Sequence, residues 1–111
     1  MSSNITSHTS NFATAPQISV ADLSHIAAQG FKTIICNRPD GEGGPDQPSS
    51  ASIKAEAEKL GLEFYSIPFT SGQLSEQLVA EFASKLKSAK GPVLAYCRSG
   101  ARSTQIWSLA Q

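Results

Sequence analysis

The chain has 111 residues, 40% of them hydrophobic and 16% charged, and nine basic residues balance nine acidic ones to a formal net charge of zero. That size fits one domain with one core; the charge balance offers nothing to attract nucleic acid or an anionic membrane, and no apolar run is long enough to span a bilayer. Two cysteines make no disulfide framework and two histidines far from them form no metal-ligand spacing, so a reducing, cytoplasmic setting is expected, with neither metal nor cofactor.

Residues 1–10 are polar, rich in Ser and Thr, and lack the basic start and apolar stretch of a signal peptide. They are expected to be a flexible arm before a single domain over 11–111. Phe12 to Gln17 reads as a short edge strand stopped by Pro16. Ser19 and Asp22 have the spacing of a capping box, and Val20, Leu23, Ile26 and Ala27 recur at helical spacing up to Gly30. Phe31 to Cys36 is β-branched and apolar, a buried strand. Asn37 to Pro48, with three glycines and three prolines, is a loop. Ser49 or Ser50 caps a helix with Ile53, Ala57 and Leu60 on one face, ended by Gly61. Leu62 to Phe69 is the next strand and Thr70 to Gln73 a connection. Leu74, Leu78, Val79, Phe82 and Leu86 form a helical stripe that ends near Lys90-Gly91. Pro92 to Ala95 begins a last buried strand, and Thr104 to Ala110 reads as a final helix.

Strands alternating with helices through right-handed crossovers imply an α/β, three-layer fold with a mostly parallel sheet of about four to five strands. Ligands in such sheets bind beyond the carboxyl ends of the strands. Cys36-Asn37-Arg38, Thr70-Ser71 and Cys97 all fall at such ends.

The segment Tyr96-Cys97-Arg98-Ser99-Gly100-Ala101-Arg102-Ser103 joins the last strand to the last helix. A loop of small residues there turns its backbone N–H groups toward one point, and the helix start adds partial positive charge. With Arg98 and Arg102 alongside, that field favours a thiolate at Cys97, which is the nucleophilic form of cysteine. Two chemistries use such a loop. A phosphatase thiolate attacks phosphorus, and the departing alkoxide needs a proton from an acid. A sulfurtransferase thiolate attacks a sulfane sulfur and becomes a persulfide; sulfite or a thiolate leaves without help.

The string Cys97-Arg98-Ser99-Gly100-Ala101-Arg102-Ser103 resembles the active loop of rhodanese-type sulfurtransferases. Protein tyrosine and dual-specificity phosphatases place one residue more between cysteine and arginine, and a His before the cysteine where this chain has Tyr96. The remainder does not resemble rhodanese, since its Asp-x-Arg and Gly-His-Ile-Pro-Gly-Ala segments are missing. Gln17, Gly30 to Ile35, Asn37-Arg38-Pro39-Asp40-Gly41-Glu42, Ile67-Pro68 and Gly91 to Leu94 instead resemble the phosphatase-like sulfurtransferases, a domain also fused to persulfide dioxygenases in beta-lactamase-hydrolase-like proteins.

That resemblance implies a dual-specificity-phosphatase-like fold and a sulfurtransferase. Cys97 would take sulfur from thiosulfate or glutathione persulfide and pass it to a thiol or cyanide, with a persulfide dioxygenase as a conceivable partner. Arg102 would bind the anion beside Cys97, joined by Arg98, Ser99, Gly100, Ala101, Ser103 and Arg38. Each has a plainer reading: Arg98 steering anions from outside, Ser99 or Ser103 capping the helix, Gly100 supplying a backbone angle. Cys36 is either a small core residue or, by resemblance to phosphoinositide phosphatases with a second cysteine at the matching strand end, a resolving partner for Cys97. Asp40 and Glu42 are the best-placed candidates for an acid, although Asp40 before Gly41 also suits a turn. Glu76 suits the first turn of its helix, Tyr65 and Trp107 suit packing, and His25 a helix face. The alternatives to sulfur transfer are a tyrosine or dual-specificity type of phosphatase, and a non-catalytic persulfide carrier or redox sensor.

Overall fold

The structure, a computed structural model, describes residues 4–111. Five short strands form one sheet: β1 (Thr6–Thr9), β2 (Phe12–Ala15), β3 (Thr33–Cys36), β4 (Glu63–Ser66) and β5 (Val93–Tyr96). Between and after them run α1 (Leu23–Ala28), α2 (Ser50–Lys59), α3 (Glu76–Ser88) and α4 (Ala101–Leu109). The sheet order is β1-β2-β5-β3-β4; β1 runs antiparallel to β2, and the other pairs are parallel.

Strand alternation divides the core into two faces. Ile34, Cys36, Leu94 and Tyr96 pack with Leu23 and Ile26 of α1 and Ile53 and Ala57 of α2. Ile35, Val93 and Ala95 pack on the other face with Phe82 of α3 and Ile106 of α4. Side chains such as Ile34, Ile35, Leu94 and Phe82 are fully buried, and each contributes about 1.5–3 kcal/mol relative to exposure. The three-layer α/β arrangement follows from this two-sided burial of a parallel sheet.

Several boundaries differ from the sequence reading. Part of the expected flexible arm is a strand: Thr6–Thr9 pairs with β2, so β2 is an inner strand and not an edge. Its polar residues hid it. The His8 ring lies 4.8 Å from the Trp107 ring and its Nε2 is 2.9 Å from Thr14 Oγ1, contacts that periodicity does not register. Residues 1–3 of that arm lie outside the described residues. The final helix starts at Ala101 and not Thr104, because Gly100 takes a left-handed N-cap with φ 93° and its carbonyl accepts from the Thr104 hydroxyl. The capping box at Ser19 and Asp22 forms as expected, opening a short 3-10 turn (Val20–Asp22) that runs into α1. Beyond β4 the chain stays extended: Ile67 N–H donates to the Cys36 carbonyl and Phe69 N–H to the Asn37 carbonyl.

Candidate active site

β5 delivers Cys97 to the carboxyl edge of the sheet, where it is fully buried. The loop is anchored from β2: Cys97 N–H donates to the Ala15 carbonyl at 3.3 Å, and Gln17 N–H to the Arg98 carbonyl at 3.2 Å. The chain then folds back so that Gly100 N–H donates to Cys97 Sγ at 3.1 Å. A positive φ is needed at Gly100, and L side chains avoid that region, so the amide pointing at the sulfur depends on glycine.

Arg102, on the first turn of α4, is 7% exposed. Its Nη1 donates to Glu42 Oε2 at 2.8 Å and to the Phe69 carbonyl at 2.9 Å, and its Nη2 donates to Glu42 Oε1 at 2.6 Å. A guanidinium has five N–H donors. Three are satisfied, and the two that remain, on Nε and Nη2, share one edge of the planar group. Among the described residues that edge meets no protein oxygen, while Cys97 stands close enough to act on Arg102. A fork of two parallel N–H groups fits two oxygens of one oxyanion.

Glu42 is the carboxylate that both arginines share. Hydrogen bonding to Arg102, reinforced by Arg38, holds its carboxyl down at about 2, so it is ionised at neutral pH. Reciprocally, Glu42 raises Arg102 above its ordinary value against the opposing effect of burial. Asp40 is also occupied: its carboxylate accepts from Ser50 N–H at 2.7 Å and from the Ser50 hydroxyl at 2.9 Å, which ties the Asn37–Pro48 loop to the start of α2. Glu76 is the first residue of α3, beyond the Ser75 cap.

The other expected pocket residues divide. Arg98, Ser99 and Ala101 are exposed on the rim, with the Ser99 hydroxyl accepting from Ala101 N–H at 3.3 Å. Ser103 does not face the loop's centre. It is fully buried and donates to Asn37 Oδ1 at 2.8 Å, because α4 begins early enough to turn position 103 toward the sheet. Arg38 is not an open anion ligand; its Nε donates to Glu42 Oε1 at 2.9 Å and its Nη1 to Gln17 Oε1 at 3.1 Å. Cys36 pairs in register with Tyr96, not Cys97, and its thiol donates to the Arg38 carbonyl at 3.3 Å. Both cysteines are free thiols, and burial pushes Cys36 up, partly offset by a hydrogen bond with Tyr96.

Two contributors escape sequence reasoning. Asn37, fully buried, accepts from Ser103, donates its amide to the Ile67 carbonyl at 2.9 Å, and so ties the ends of β3 and β4 to the first turn of α4. The Phe69 carbonyl holds Arg102, and a backbone acceptor leaves no trace in side-chain identity. For Asn37 the available signal was a lone amide closing a buried, mostly apolar strand.

A cysteine and an arginine fork at the carboxyl edge of a mostly parallel sheet, with the Gly100 amide on the sulfur, define a cysteine-loop domain of phosphatase-like fold. The family model for the phosphatase-like domain of beta-lactamase hydrolase-like proteins matches residues 4–111, and the chain belongs to that family. It is 37% identical over 97 residues to a beta-lactamase hydrolase-like protein of Agrobacterium fabrum, covering 87% of this chain and 22% of that protein. A similar protein of Xylella fastidiosa is 29% identical over 99 residues, covering 89% of this chain and 23% of its length. The chain thus spans under a quarter of these relatives. Among solved structures, a candidate phosphatase of Neisseria meningitidis superposes with a TM-score of 0.86 at 39% identity, covering 93% of this chain and 72% of that one. The core of the yeast PP-IP phosphatase Siw14 superposes with a TM-score of 0.68 at 13% identity, covering 96% and 73%, a likeness of fold alone.

Proposed function

We propose that Cys97 is the nucleophile of a transfer reaction on a small oxyanion, and that the group transferred is a sulfane sulfur. The observation that carries this reading is the state of the nearby carboxylates. Glu42 is ionised between two guanidiniums and Asp40 is bound to α2, so neither offers a proton to an alkoxide leaving group. Sulfur transfer needs none. The Cys97 thiolate attacks the outer sulfur of thiosulfate; the S–S bond of the donor breaks, its electron pair departs with sulfite, and Cys97 becomes a persulfide. A thiolate or cyanide then takes the outer sulfur and returns the thiolate. The Arg102 fork holds the sulfonate oxygens, and the Gly100 amide serves the sulfur. The sulfur would pass to a small thiol, and a persulfide-consuming dioxygenase is the class of partner that suits such a product.

Phosphoester hydrolysis is the second reading, and the likeness to the candidate phosphatase of Neisseria meningitidis favours it over sulfur transfer. In this site it would be confined to esters with good leaving groups, such as aryl phosphates. Side-by-side turnover of thiosulfate with cyanide, and of p-nitrophenyl phosphate, separates the two. Cys97→Ser should abolish whichever activity is present. Dominant, Cys97-dependent aryl phosphatase activity without sulfur transfer would replace the first reading by the second.

A further inference from the structure

We infer that Arg38 is a positioning residue, which acts through Glu42 to hold the end-on edge of the Arg102 guanidinium and leave its Nε–Nη2 edge open to an anion. This rests on the reading that Cys97 and Arg102 handle an oxyanion, and extends it to a residue that touches neither the thiol nor the anion.

Glu42 Oε1 is shared between two guanidiniums: Arg38 Nε at 2.9 Å and Arg102 Nη2 at 2.6 Å. Its Oε2 serves Arg102 Nη1 alone. A loop carboxylate with a single partner is fixed only relative to that partner, and the pair can swing together. Arg38 removes that freedom because it is itself immobilised. Its side chain is 9% exposed, Gln17 Oε1 takes its Nη1, and its Nη2 lies against the backbone of Gly43. A Cβ on Gly43 would stand 2.6 Å from that Nη2, so a side chain there would displace the end of the Arg38 guanidinium. Gln47 holds the same turn, with Oε1 accepting from Gly43 N–H and Nε2 donating to the Pro39 carbonyl. The end-on edge of Arg102 therefore has one docking geometry, and the Nε–Nη2 edge is left for the anion.

Position and charge are separable. Arg38→Lys and Gly43→Ala keep the charge at residue 38 but disrupt the fork, since a lysine ammonium cannot bridge Glu42 and Gln17 as a planar guanidinium does. The experiment is alkylation of Cys97 by iodoacetate and by iodoacetamide, followed on the Cys97 peptide by mass spectrometry, with a melting curve for each variant. In both variants the rate with anionic iodoacetate should fall about tenfold, the scale of one charged hydrogen bond, while the rate with neutral iodoacetamide stays within about twofold. Arg38→Lys combined with Glu42→Gln should be no worse than Glu42→Gln alone, since both act on one relay. A wild-type iodoacetate preference in Arg38→Lys, or full additivity with Glu42→Gln, overturns the inference. If Arg38→Lys fails to fold, Gly43→Ala decides. Loss of the preference in the variants of a protein that turns over neither thiosulfate nor aryl phosphate would sink the proposed function and leave this inference standing. Turnover with an unchanged preference would do the reverse.

Discussion

The two loops that meet at the site are built on opposite plans. The Cys97–Arg102 loop is made of backbone: an amide aimed at the sulfur, a left-handed glycine, anchors on the Ala15 carbonyl and the Gln17 amide. The Asn37–Pro48 loop is made of side chains: Asp40, Glu42 and Arg38 hold other parts of the molecule, and Gln47 holds the loop's own turn. In the proposed function the first loop supplies the reacting atom, and the second holds the Arg102 guanidinium through Glu42. Asp40, Glu42 and Arg38, which look like reagents in the sequence, are each tied to other side chains, whereas the Cys97 turn is shaped by its own backbone.

The contrast is sharpest at Gly100. Gly100→Ala forces an alanine into the left-handed region at a cost of about 1–2 kcal/mol. The amide can only relax away from the sulfur, so turnover should fall by well over tenfold while the fold persists; a near-normal rate would show that the turn is not what serves Cys97. Asn37→Ala comes next. It strands the buried Ser103 hydroxyl and the Ile67 carbonyl, and should cost about 1–3 kcal/mol of stability, measured by urea unfolding. Ser103→Ala removes one partner only and should cost less. If the order is reversed, Asn37 is not the hub.

Glu42 gives a test by pH. Its folded value near 2 lies below its ordinary 4.5, so its contribution is fully present above about 4.5 and is lost as pH falls through the folded value. The stability gap between wild type and Glu42→Gln should therefore narrow between pH 5 and pH 3 in urea melts, to the order of magnitude that linkage allows. A gap that stays constant would mean the carboxylate is not held by its arginines. The smallest effect is expected at Cys36. Cys36→Ser should leave turnover within about twofold, since the thiol is hydrogen-bonded to the Arg38 carbonyl and burial pushes its pKa up. A large loss would point to the resolving role instead.

Much of this was legible in the sequence. β3, β5, α2 and α3 carry strong apolar patterns, and the fold follows from their alternation. Cys97 and Arg102 were legible because a cysteine followed by small residues and an arginine, between a strand and a helix, has few other uses. β1 was not, since its stability comes from pairing and from His8 packing on Trp107 rather than from its own apolar content. The partners of Glu42, Arg38 and Ser103 were not legible, for one reason. Residue type shows what a side chain can do, but its partners come from other parts of the chain: position 60 residues away for Glu42 and Arg102, and 66 for Ser103 and Asn37.

The most direct measurement is the intact mass of the reduced protein after incubation with thiosulfate, alongside Cys97→Ser. A gain of one sulfur atom that is absent in Cys97→Ser is the expected result. No gain in the wild type, together with Cys97-dependent release of p-nitrophenol from its phosphate ester, would contradict sulfur transfer and make this loop a phosphatase's.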